Sequence, residues 1–165
     1  MKTIIVYYSL EGNTKQTAEK IAKLTGADLL ALHPVKSYPD SGAKKFLWGG
    51  KSAVMGEKPK LQPYIFNAEK YDTVIFGTPV WASTFTPPLR TFIDENRDKL
   101  SNKQFAAFMC YMGGGANKAF AKLKKFLAVE TLAAELVLTE PKASADEQNE
   151  EKIKAFCDSL KEIQA

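Results

Sequence analysis

Residues 4–22 read IIVYYSLEGNTKQTAEKIA. An apolar and aromatic run ends at Ser9, a short polar loop with one glycine follows, and from Thr14 the apolar positions recur every three or four residues. That is a strand, a tight loop and a helix. Thr14, Ala18, Ile21, Ala22 and Thr25 share one helix face, and Gly26 supplies a stop. A strand that is apolar without alternation belongs in a parallel sheet covered on both faces. The fold therefore turns on whether this unit recurs.

It does. After TIIVYY (3–8) come ADLLAL (27–32), DTVIFG (72–77), QFAAFMCY (104–111) and TLAAELVL (131–138). Helical periods lie between them. Residues 86–100 open on prolines suited to a first turn and turn Leu89, Phe92, Ile93 and Leu100 inward; 117–127 does the same with Phe120, Leu123, Phe126 and Leu127. A last helix over about 145–163 carries Ile153, Phe156, Cys157, Leu160 and Ile163. Right-handed crossovers then predict an α/β, three-layer, doubly wound, five-stranded parallel sheet of order 2-1-3-4-5, with residues 1–165 as one domain. The connection 34–70 is long and proline-rich, with one helical stretch, GAKKFLWGGKSAVMG (42–56); it is expected either over a site or packed at the sheet edge.

Composition narrows the function. The 165 residues are 45% hydrophobic and 25% charged, the balance of a compact domain. No apolar run reaches membrane-spanning length, and Ser9, Glu11, Asn13 and Lys15 interrupt the first one, so a cytoplasmic protein without membrane insertion is expected. The net charge is +4, yet the longest basic run is KLKK (122–125), which argues against a nucleic-acid partner. Cys110 and Cys157 lie far apart in apolar surroundings and read as buried reduced thiols, not metal ligands. One histidine, His33, allows no Ser/His/Asp arrangement, so no catalytic side chain and no metal site are assigned.

In a doubly wound sheet the ligand crevice opens at the carboxyl ends of the strands where their order reverses. The SLEGNT loop stands there. Ser9, Asn13 and Thr14 offer short polar side chains, Gly12 permits the turn, and a helix N-terminus favours a phosphate. The loop is neither G-x-x-x-x-G-K-[ST] nor G-x-G-x-x-G, which argues against triphosphate hydrolysis and dinucleotide binding. Across the crevice, GTPVWAS brings Trp81, and after the fourth strand MGGG provides a backbone that can approach a flat ligand closely.

With SLEGNT, TPVW followed by PPLRTF, and MGGG in place along the whole chain, the sequence resembles the flavodoxin family, in particular a branch with Pro, Ile or Val, Trp in its second loop. The resemblance implies flavin mononucleotide (FMN) as cofactor. It implies that Ser9, Leu10, Glu11, Gly12, Asn13 and Thr14 hold the phosphate. Thr78, Pro79, Val80, Trp81 and Ala82 would line the ring and ribityl chain, and Met112, Gly113, Gly114 and Gly115 would meet the ring's polar edge. Electron-carrying members are acidic around the flavin, whereas here the balance is +4 and MGGG holds no carboxylate, so a less negative potential is expected. The glycine loop also lacks a covering tyrosine, for which Trp48 or Tyr38 could substitute, and Tyr111 is expected to point from the strand's end. Three functions stay open: an electron shuttle serving a redox partner protein, an NAD(P)H-dependent reductase of a quinone-like acceptor, and a phosphate-binding module without redox chemistry.

Overall fold

The computed structural model describes residues 2–39, 42–141 and 147–164, with 42–47, 163 and 164 described by backbone alone. Five strands, β1 (Thr3–Tyr7), β2 (Asp28–Ala31), β3 (Thr73–Pro79), β4 (Gln104–Tyr111) and β5 (Glu135–Thr139), form one sheet of order β2-β1-β3-β4-β5. Every pair is parallel. The fold is the flavodoxin-like one expected.

Alternation along the buried strands divides the core. Ile4, Val6, Val74, Phe76, Phe105, Ala107 and Met109 face one side, where α3 (Pro87–Glu95) contributes Leu89, Phe92 and Ile93, and α5 (Ala116–Leu127) contributes Ala119, Phe120 and Leu123. Leu61 and Phe66 of the long connection, with Tyr71 just after it, close the same layer. Ile5, Tyr7, Ile75, Ala106, Phe108 and Cys110 face the other side, against Ala18 and Ile21 of α1 (Asn13–Thr25) and Ile153, Phe156, Cys157 and Leu160 of α6 (Glu147–Gln164). The expected positions 145 and 146 and the side chain of Ile163 lie outside the described residues.

Two elements differ from expectation. β5 begins at Glu135, not at 131: the chain first meets β4 through the Ala133 N–H to the Phe105 carbonyl at 2.7 Å, and half-buried Leu132 packs beneath it. The helix from 87 stops at Asn96, whose side-chain amide donates to the Phe92 carbonyl at 2.9 Å and to the Tyr64 hydroxyl at 2.8 Å; a single turn, α4 (Arg97–Leu100), continues it. Both ring contacts and register converge on Gly77 in the central strand, which pairs with Tyr7 on one side and Phe108 on the other. A Cβ there would lie 2.3 Å from Phe108 Cζ and 2.9 Å from Tyr7 Cβ.

Gly77→Ala is accordingly expected to lower unfolding free energy by about 1–3 kcal/mol through overpacking, read as a fall in the urea midpoint. Gly113→Ala, where a Cβ meets nothing within 4 Å, is expected to leave that midpoint nearly unmoved.

Candidate functional site

At the carboxyl edge, Tyr8 donates its N–H to Gly77 O at 3.1 Å and Val80 donates to Cys110 O at 2.9 Å, extending the ladders of β1, β3 and β4 up to their loops. The three loops enclose a cleft of about 230 Å³. Of the expected residues, Ser9, Leu10, Glu11, Asn13, Thr14, Pro79, Val80, Trp81, Ala82, Met112, Gly113 and Gly114 line it. Gly50, Cys110, Tyr111 and Glu140 line it as well.

The first loop is shaped for an anion. Gly12 takes φ 95°, its N–H donates to Ser9 Oγ at 3.1 Å, and α1 starts there with no side-chain cap and no acidic residue in its first turn. The helix's partial positive charge is therefore left for a ligand at the loop. Gly12 itself shapes the turn without lining the cleft. At α3, by contrast, Pro87 and Pro88 occupy the first positions and have no N–H to satisfy.

The second loop is a tight reversal. Trp81 and Thr84 exchange N–H···O bonds at 3.0 Å in both directions, with Ala82 and Ser83 both left-handed at φ 49° and 57°. Two non-glycine residues in that region carry strain of order 1–3 kcal/mol each, which the surroundings hold in place. Thr78, expected at the ring, is fully buried instead: its hydroxyl donates to Pro79 O at 2.9 Å and accepts from the Thr86 N–H at 3.1 Å, clamping the loop's two ends. Gly115, also expected at the ring, lies against the turn, where a Cβ would fall 2.4 Å from Ser83 Oγ. It fixes the spacing between the second and third loops.

Trp81 is held by its neighbours. Its ring meets Tyr38 edge-on with centroids 5.1 Å apart and Tyr8 at 5.7 Å. The connection's helix α2 (Gly42–Val54) lies across it, since a Cβ at Gly49 would come 3.1 Å from Trp81 Cε3. The long connection thus roofs the site, with Gly50 reaching the cleft. Tyr38 stands behind Trp81, and Trp48 is 60% exposed and outside the cleft wall, so neither supplies the expected cover; Tyr111 does line the cleft.

Charge in the cleft differs from that of the whole chain. Glu11 and Glu140 line it, and among the described residues no lysine or arginine does. Glu140 arrives from the end of β5, its N–H bonded to Tyr111 O at 3.1 Å, a placement that local sequence does not reveal. Arg90, near the second loop, stacks on Phe85 at 4.5 Å and Phe126 at 4.6 Å, where burial lowers its pKa from the ordinary value. His33 is exposed. The Cys110 thiol, at the cleft floor, lies 3.7 Å from Thr17 Oγ1, and burial pushes its pKa up to about 11; Cys157 is raised to about 11 for the same first reason.

Both thiols should therefore resist a disulfide reagent at pH 8 in the native protein and react on unfolding. Because the unfolded thiols ionise near 9.0 while the folded ones hold their protons to about 11, stability is fully present below pH 9 and should fall as pH rises from 9 toward 11; thermal melts across that range read it.

Comparison with known proteins agrees with this geometry. A family model described as flavodoxin matches residues 2–159. Among solved structures, a flavoprotein in complex with FMN from Lactobacillus acidophilus NCFM is 21% identical with a TM-score of 0.72, covering 82% of this chain and 92% of that one. The apo form of the flavoprotein from the same organism gives 22% and 0.64, covering 82% and 91%. A flavodoxin from the domain Archaea gives 18% and 0.56 over 100% of both chains. At these identities the structures speak for the fold, and the match over residues 2–159 speaks for descent: the chain belongs to the flavodoxin family.

Proposed function

We propose that this chain binds FMN in the cleft and works as an electron-transfer protein, passing electrons between a reductase and an acceptor protein. One observation carries the reading: an uncapped helix start, an aromatic wall and a glycine-rich wall meet in a single cleft whose charged lining side chains, among the described residues, are carboxylates. Family membership supports the same cofactor.

The bound flavin supplies reversible one- and two-electron chemistry. The chain's own residues do the rest. Ser9, Asn13, Thr14 and the first turn of α1 hold the phosphate. Trp81 offers its ring to one face, kept in place by Tyr8, Tyr38 and Gly49. The backbone of Met112, Gly113 and Gly114 approaches the opposite edge, and Glu11 and Glu140 set the local potential. Their negative charge would disfavour added negative charge on a bound ring, an influence opposite in sign to that of the chain's net charge.

A second reading, reduction of a quinone-like acceptor with NAD(P)H, draws on the small residues of the MGGG loop, which leave that side of the cleft open to a hydride donor. A basic exterior of +4 suits an anionic nucleotide.

The test is to mix the purified protein with excess FMN, desalt, and record the visible spectrum. Retained flavin absorbance is expected; a colourless product would overturn the cofactor. Bleaching only when a separate reductase is added supports the shuttle, while bleaching with NADH or NADPH alone, reversed by quinone, supports the second reading. Trp81→Ala is expected to raise the Kd for FMN about tenfold, equal to about 1.4 kcal/mol, by fluorescence titration. Gly115→Ala should weaken binding in the same direction by pushing Ser83 away. Glu140→Gln is expected to raise the one-electron potential of the reduced couple by about 20–60 mV, the counterpart of about 0.5–1.4 kcal/mol of lost repulsion, measured by potentiometric titration.

A further inference from the structure

Aromatic packing alone accounts for Tyr8, Tyr38 and Trp81 lying together, with centroids 5.1–6.2 Å apart. It does not account for what hangs from Tyr38. The Tyr38 hydroxyl lies 3.1 Å from Ser52 Oγ, and Ser52 Oγ donates to Glu57 Oε2 at 2.5 Å. A carboxylate only accepts, so the serine's single hydrogen points to Glu57 and Tyr38 must donate to the serine oxygen. The chain of bonds runs outward, from half-buried Tyr38 through buried Ser52 to exposed Glu57.

Tyr8 is the internal control. It is 4% exposed and, among the described residues, its hydroxyl has no hydrogen-bond acceptor. Both phenols are made less acidic by burial, so neither gives up a proton unprompted. A phenol that loses an electron becomes a strong acid, and only Tyr38 has a base within reach.

We propose that Trp81 and Tyr38 form a one-electron relay leading out of the cleft, with Ser52 and Glu57 carrying the phenolic proton to the surface. The relay rests on the reading that the cleft holds FMN, and its oxidant is the light-excited flavin ring. Trp81 gives one electron to that ring and takes one from Tyr38. The Tyr38 O–H bond breaks, its proton passes to Ser52 Oγ, and the proton of Ser52 passes to Glu57 Oε2. At the end the flavin holds one extra electron, Tyr38 is a neutral phenoxyl, Glu57 is protonated, and Trp81 and Ser52 are restored. Return of the electron and proton by the same path resets the site. The relay moves the oxidised centre off the residue that forms the cofactor's wall, which protects Trp81 from irreversible oxidation.

The experiment uses the FMN-loaded protein, with loading checked by flavin absorbance after desalting. A blue-light pulse is followed by transient absorption and by freeze-quenched electron paramagnetic resonance. A tyrosyl signal is expected in the native sequence and in Tyr8→Phe, and is expected to vanish in Tyr38→Phe. Glu57→Gln, which leaves the rings in contact, should cut the tyrosyl yield several-fold while the Kd for FMN stays unchanged, and deuterium oxide should slow its formation. A purely structural network would leave yield and isotope effect unmoved. No tyrosyl signal in the loaded native protein, or one that survives Tyr38→Phe, overturns the proposal. If the protein fails to retain FMN, the cofactor reading falls separately, and the relay is then decided on the colourless protein. In a Trp48→Phe background, azidyl radicals generated by pulse radiolysis should oxidise Trp81 and then Tyr38; a tryptophan radical that decays without a tyrosyl successor overturns it.

Discussion

The parallel pairing of β1, β3 and β4 is the constraint on which the rest depends. Parallel strands in register all point the same way, so the three loops that follow Tyr7, Pro79 and Tyr111 leave one edge of the sheet side by side. No local feature of those loops could bring them together. Their shared edge also explains why Gly77 stands where it does: Tyr7 and Phe108 meet across it, and a side chain between them would spread the strands that carry the first and third loops.

What the loops then offer follows from how each is held. The first is a helix start left without a cap. The second is a strained turn, fastened below by Thr78 and Thr86 and beside it by Gly115. The third is backbone with little side chain. Strain in the middle loop is held by buried Thr78 and Thr86, and Trp81 is fixed by its contacts with Tyr8, Tyr38 and the backbone at Gly49.

The sheet, its order and most of the core were legible in sequence because buried parallel strands and amphipathic helices leave strong periodic signals. β5 was misplaced by several residues because it is an edge strand, in which Glu135 and Thr139 are exposed and the apolar run spills into the preceding loop. The site was legible wherever it is made of contiguous loop residues, as with Ser9 or Trp81. It was not legible where distant segments arrive, Gly50 from the roof helix and Glu140 after β5, or where a strand residue such as Cys110 could have faced either layer. Thr78 and Gly115 belong to the right loops but serve their geometry, a distinction that only contacts reveal.

Consecutive glycines at 49 and 50 let α2 lie on Trp81, yet each costs a helix about 1 kcal/mol relative to alanine. α2 therefore exists through what it rests upon more than through its own preference for helix. The roof therefore depends on its approach to Trp81 in a way that the hydrogen-bonded sheet does not. Native-state hydrogen exchange is expected to show its backbone amides exchanging before those of β1, β3 and β4.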